Sequence, residues 1–173
     1  RNMQPGSGLD RVVALASEKS GTIQHQALEA VAAWRIEAIR PTLTAFLKNG
    51  DSTPHIRNLS IEALRNLGGE DSKNLLVELT KSHPDRSTRA RAATALATMA
   101  PEEAAQAAVP LLQSSESEGE VKGLLDAFVR QEAALAALAK GLEGQTLTRE
   151  VAKQAERVLT SSGRKVDVAL DAV

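Results

Sequence analysis

Apolar positions along this chain recur in helical spacing. Ala30, Ala63, Ala95, Ala127 and Ala155 each centre a strongly amphipathic segment, at intervals of 33, 32, 32 and 28 residues. Three residues before these anchors stand Ala27, Ser60, Ala92, Leu124 and Ala152, and one after stand Val31, Leu64, Leu96, Phe128 and Glu156. Four after stand Trp34, Leu67, Met99, Gln131 and Leu159. Offsets of −3, 0, +1 and +4 trace one face of an α-helix, because 3.6 residues complete a turn. The first three units obey throughout. The fourth departs at Gln131, and the fifth at Glu156 and, two residues before its anchor where Leu28, Ile61, Ala93 and Leu125 stand in the others, at Lys153, unless its face shifts to Val151, Ala155, Val158 and Leu159.

A second helix is predicted before each anchor helix, over 9–16, 39–47, 75–79, 104–112 and 135–142, where apolar residues again lie three or four apart. The punctuation agrees. Asn49-Gly50-Asp51, His83-Pro84-Asp85, Ser114 to Gly119 and Gly144-Gln145 fall between the helices of a pair, and Gly68-Gly69 and Ala100-Pro101 fall between pairs. Glycine just after a helix and proline at the start of one are stop and start signals. Ser20 to Thr22 starts the first anchor helix by the same logic. A lone helix pair cannot bury its apolar face, but a row of pairs can. The expectation is an all-α fold, an α-solenoid of about five helix pairs in one domain. The units are 9–36, 37–69, 70–100, 101–131 and 132–163, with a truncated next unit over 165–173, where Val166, Ala169, Leu170 and Val173 begin another face. The break in mid-pattern reads as a fragment of a longer protein. A mixed globular bundle is the competing architecture.

Composition sharpens this picture. Aromatic residues make up only 2% of the chain, namely Trp34, Phe46 and Phe128, so the core is built from Ala, Leu and Val, which suits closely approaching helices. Formal net charge is −1, so no overall field draws in nucleic acid or anionic lipid. There is no cysteine, which removes disulfides, thiolate catalysis and thiolate metal sites from this segment. No apolar run approaches the roughly 18 residues of a membrane span.

Few residues suggest chemistry. His25, His55 and His83 sit five, eight and twelve residues before their anchors, so stacking in register would keep them apart, as loop or helix-start residues. Arg86, Arg89 and Arg91 cluster, and Arg57 and Arg149 share the −6 slot with Arg89. Such a column would form either a basic stripe or a set of structural ion pairs. The net charge of −1 and the core slot of Trp34 favour ion pairs. Six acids and two bases (Lys122 and Arg130) lie between Pro101 and Gln131. Ser114 to Glu120 reads as a solvated loop whose acids fit a calcium loop only loosely, and Glu102-Glu103 favour a helix N-terminus. Ser161-Ser162-Gly163 is a helix stop, and Gly6-Ser7-Gly8 lacks the strand a phosphate loop needs.

The segment Asp51-Ser52-Thr53-Pro54-His55-Ile56-Arg57, continued by Ile61, Ala63, Leu64, Leu67 and Gly68, resembles the HEAT-repeat consensus. Thr88-Arg89, with Asp85 nearby, and Val121-Lys122 echo it. The short unit is similar to the bacterial form noted in bilin lyases. The resemblance implies a ladder of ion pairs and hydrogen bonds between neighbouring units, carried by Asp51 with Arg57 and Asp85 with Arg89. It also implies a concave surface for a protein partner or for flanking domains of the same chain, with Arg57, Glu62, Arg65, Arg89 and Arg130 as contact residues. On this reading the segment is no enzyme and carries no catalytic, metal or cofactor residue; it binds no nucleic acid and no membrane. Ala134 to Leu142, Thr146-Leu147, Val151-Ala152, Arg157 and Ser161 to Arg164 further resemble the HEAT region of large secreted planctomycete proteins. Those join a sugar-dehydrogenase-like propeller to a haem domain with Cys-x-x-Cys-His. That resemblance implies an extracytoplasmic spacer between redox domains. HEAT-like DNA glycosylases supply a third reading, a nucleic-acid enzyme.

Overall fold

The computed structural model describes residues 7–18, 21–50 and 52–162. Expectations for Gly6, Ser20, Asp51, Gly163, Arg164 and the further face of Val166, Ala169, Leu170 and Val173 lie outside them. Ten α-helices follow one another, with no β-strand among the described residues. They are α1 (Leu9–Ser17), α2 (Gly21–Trp34), α3 (Arg40–Lys48), α4 (Pro54–Leu67), α5 (Gly69–Ser82), α6 (Arg86–Leu96), α7 (Pro101–Gln113), α8 (Glu118–Val129), α9 (Glu132–Leu142) and α10 (Arg149–Ser161). A 3-10 turn, Glu37–Ile39, leads into α3. The anchor helices are α2, α4, α6, α8 and α10. The all-α, HEAT-type helix-pair architecture expected from the repeat is what the chain adopts.

Contacts divide the chain into two compact units, Arg1–Leu75 and Leu76–Val173, the division falling inside α5. In the first unit α1 packs on α2, α3 on α4, and anchor helix α2 on anchor helix α4. In the second unit the anchor helices α6, α8 and α10 stack in sequence, and α7 stacks on α9 as a second layer. The helices of each unit therefore lie in rows rather than around one centre. Across the layers of the second unit, the main packing joins α6 to α7 and α8 to α9. The connections explain this pairing. Ala97 to Ala100 folds α7 back on α6, and Arg130-Gln131 folds α9 back on α8.

Burial follows the apolar stripe. The −3 residues Ala27, Ser60, Ala92, Leu124 and Ala152 are all buried, as are Val31, Leu64, Leu96 and Phe128 at +1. The +4 slot is a rim: Trp34, Leu67, Met99 and Leu159 are half-buried and Gln131 is exposed. Trp34 is thus not the core residue expected, since a residue one turn past the anchor already leaves the face covered by the neighbouring helix. The buried polar groups are satisfied. Gln24 donates to the Ala16 carbonyl at 3.3 Å, Ser60 to the Ile56 carbonyl, and Thr88 to the Asp85 carboxylate at 2.6 Å, while Ser72 accepts from Arg40.

Caps set the phase of the repeat. Thr53, Asp85, Ser117 and Thr148 each accept a hydrogen bond from a backbone N–H of the first turn of α4, α6, α8 or α10. A side-chain oxygen at that position satisfies donors that the helix itself leaves open. These residues are 32, 32 and 31 positions apart, a steadier period than the anchors give. Counting ten residues on from Thr148 puts the fifth anchor at Val158. Ala155 then takes the buried −3 place, in line with Ser60, Ala92 and Leu124. Arg149 moves out of the column of Arg57 and Arg89 and falls in line with Arg86, one residue after the cap. The cap of α8 also shortens the expected loop: Glu118, Gly119 and Glu120 belong to the first turn of the helix, where negative charge is favourable. Between α4 and α5, Gly68 and Gly69 adopt φ of 71° and 77°, a left-handed reversal that a side chain would strain. Arg35 closes α2 in the same region at φ 53°.

Candidate interaction surface

The expected contact residues are placed in three ways. Arg57, half-buried on α4, donates to the Ser52 carbonyl. Arg89, at the matching place on α6, donates to the carbonyls of His83 (2.7 Å) and Pro84 (3.1 Å). Both guanidinium groups thus brace the segment leading into their own helix. Glu62 and Arg65 form an ion pair at 2.6 Å on α4, with both side chains well exposed. Arg130 is exposed at the C-cap of α8. Arg57, Glu62 and Arg65 belong to the first unit, Arg89 and Arg130 to the second. Of the ladder acids, Asp51 lies outside the described residues, and Asp85 caps α6, accepting from the backbone N–H groups of Ser87 and Thr88 at 3.2 Å each.

The residue that joins elements in the second unit is Arg86, which the sequence marked only as part of a basic cluster. It stands at the first position of α6 and donates to the Leu111 carbonyl at 2.6 Å and to Ser114 Oγ at 2.7 Å. Its Nε lies 3.6 Å from the Glu120 carboxylate. One side chain thereby ties the start of α6 to the end of α7 and the first turn of α8. Gln113 makes the next link, donating to Gln145 Oε1 at 3.1 Å and to the Thr146 carbonyl at 3.4 Å. In the first unit Arg40 plays the corresponding part, bonded to Glu37, Ser72 and the Gly68 carbonyl. Within each compact unit, an arginine one position after a cap (Arg86) or at the start of an outer helix (Arg40) links successive helices.

A groove of about 420 Å³ runs between α6 and α8. One wall is Ser87, Ala90, Arg91 and Thr94, which share a face of α6; the other is Ser117, Gly119, Glu120 and Gly123 at the start of α8, with Glu120 paired to Arg86. Leu111 and Leu124 form its floor. A Cβ built on either glycine would meet nothing within 4 Å, so neither residue is required by packing. Glycine inside a helical pattern is the signal that would have marked this groove. A second cleft of about 400 Å³, flanked by Lys81, Arg86, Arg89 and Glu103, lies on the α5–α7 side.

The histidines require a correction. His25 on α2 and His55 in the first turn of α4 are not kept apart: their rings stand edge to face, with centroids 4.3 Å apart and planes at 64°. Stacked helices are offset along their axes, so residues three positions out of register can meet. His83 lies before α6 as expected, where its Nδ1 accepts from the Asp85 N–H at 3.1 Å. Among the described residues no three of His, Cys, Asp and Glu converge as a metal site, and no helix is long and apolar enough to cross a membrane.

With this geometry in place, the sequence comparisons fall into line with the first half of the chain. Residues 9–85 match the family model of HEAT repeats. The match takes in α1 to α5 and ends at Asp85, the cap of α6. No curated protein matches the chain. Fold and match together describe an all-α helical-repeat chain whose residues 9–85 are similar to HEAT repeats.

Proposed function

We propose that this segment is a non-catalytic scaffold whose anchor-helix face holds a protein segment, either a partner's or one from a flanking domain of the same chain. The observation that supports this reading is the groove between α6 and α8. Helix-interior glycine costs about 0.5–1 kcal/mol relative to alanine, and Gly123 brings no packing gain in return, nor does Gly119 in the first turn. What they do provide is width: an apolar floor open to an incoming side chain, with the exposed guanidinium of Arg91 at the wall. An extended segment carrying an apolar side chain and a carboxylate fits those walls.

The test is photo-crosslinking in cells that express the protein. A crosslinking residue in place of Thr94 should yield one defined polypeptide adduct, identified by mass spectrometry. The same residue in place of Lys140, exposed on α9, should not, and Gly123→Leu should abolish the Thr94 adduct by filling the furrow. Adducts insensitive to Gly123→Leu, or none from Thr94, would overturn the reading. So would salt-sensitive binding of duplex DNA by the isolated chain, since the proposal assigns it no nucleic acid.

A further inference from the structure

We propose that His25 and His55 together form a two-imidazole site for a divalent transition-metal ion of the zinc, copper or nickel class, bridging anchor helices α2 and α4. Imidazole nitrogen suits these ions. An ion shared by two imidazoles at a metal–nitrogen distance of about 2.1 Å holds the ring centroids roughly 4.6 Å apart at a square angle and roughly 5.3 Å apart at a tetrahedral one. The rings stand 4.3 Å apart, so a splay of about 0.3 Å for square geometry, or about 1 Å for tetrahedral, admits the ion. Their inclination of 64° keeps the rings out of a parallel stack, leaving room for nitrogens to converge.

The backbone anchors both side chains. His55 occupies the second position of α4, behind Pro54 and the Thr53 cap, and its neighbour Ile56 is buried. His25 lies on α2 between buried Gln24 and buried Ala27. His25 is half-buried and His55 exposed, so water completes the coordination shell. The positive N-terminal end of α4 opposes a cation beside His55, which places the affinity well below that of a four-ligand structural zinc site. Because the two ligands come from stacked anchor helices, the ion fastens one helix pair to the next, and its binding energy adds to the stability of the folded first unit.

The chain has only three histidines, so proton NMR resolves the matter in the unsubstituted, tag-free protein. Substoichiometric Cu(II) should broaden the imidazole resonances of His25 and His55 together while those of His83 persist. Equal broadening of all three, broadening of His83 first, or none would overturn the proposal. Zn(II) titrated calorimetrically should bind one equivalent in the native chain and in His83→Ala. Losing one of two chelating ligands should weaken binding roughly a hundredfold in His25→Ala and in His55→Ala. Retained affinity in either variant would also overturn it. Circular dichroism checks the fold of each variant, and the NMR experiment on the native chain decides alone if a variant unfolds.

Discussion

At the scale of single residues, the side chains that matter most are those that complete the backbone. Asp85 accepts two backbone N–H bonds and the hydroxyl of Thr88, a residue buried at the base of α6. Asp85→Ala should lower stability by about 1–2 kcal/mol, and Asp85→Asn should recover most of it; urea unfolding monitored by circular dichroism measures both. This residue also shows what could and could not be read from the sequence. Its proximity to Arg89 suggested an ion-pair ladder, yet its place just before a helix equally suited a cap. In the structure the carboxylate caps the helix backbone through Ser87 and Thr88, and the Arg89 guanidinium donates to the carbonyls of His83 and Pro84. The burial of Ala92, Ala95 and Leu96 was legible, because it depends only on the helical period. The meeting of His25 with His55 was not, because axial offset between stacked helices leaves no trace in either helix alone.

At the scale of helices, two glycines predict opposite outcomes. Gly123 faces the open groove, and Gly123→Ala should raise stability by about 0.5–1 kcal/mol through the helix backbone alone. Gly141 lets α9 approach α7: a Cβ there would stand 3.2 Å from Val109 Cγ2. Gly141→Val should therefore lower stability by about 1–3 kcal/mol by overpacking. Thermal melts of the two variants compare them directly. Arg86 is the strongest inter-helix tie in the second unit. Arg86→Ala should lower stability by about 1–3 kcal/mol, the range for hydrogen bonds to a charged group. Arg86→Lys should recover little of it, since an ammonium cannot reach the Leu111 carbonyl and Ser114 in a planar fork. The existence of every helix was readable from periodicity. The phase of the last was not: Ala155 looked like an anchor because alanine suits either place, and only the cap at Thr148 showed Val158 in the equivalent position.

At the scale of the molecule, a row of helices distributes stability unevenly. Each helix is held by its neighbours in the row, and the ends have fewer. Of α1 only Ala16 is buried, and of α10 only Val151, Ala152 and Ala155, whereas α8 buries Val121, Leu124, Leu125 and Phe128. Amide hydrogen exchange should accordingly find α1 opening at lower free energy than α2 within the first unit, and α10 at lower free energy than α8 within the second. Uniform protection within either unit would contradict this packing in rows. The division of contacts at Leu75–Leu76 was hidden in the sequence, because α5 carries the same helical pattern on both sides of it. Trp34, the sole tryptophan, stands half-covered at the rim of α2 in the first of the two units. Its fluorescence is therefore a local reporter. An emission-monitored melt follows the surroundings of α2, and its divergence from the ellipticity curve measures how far the second unit keeps its helices after the first has let go.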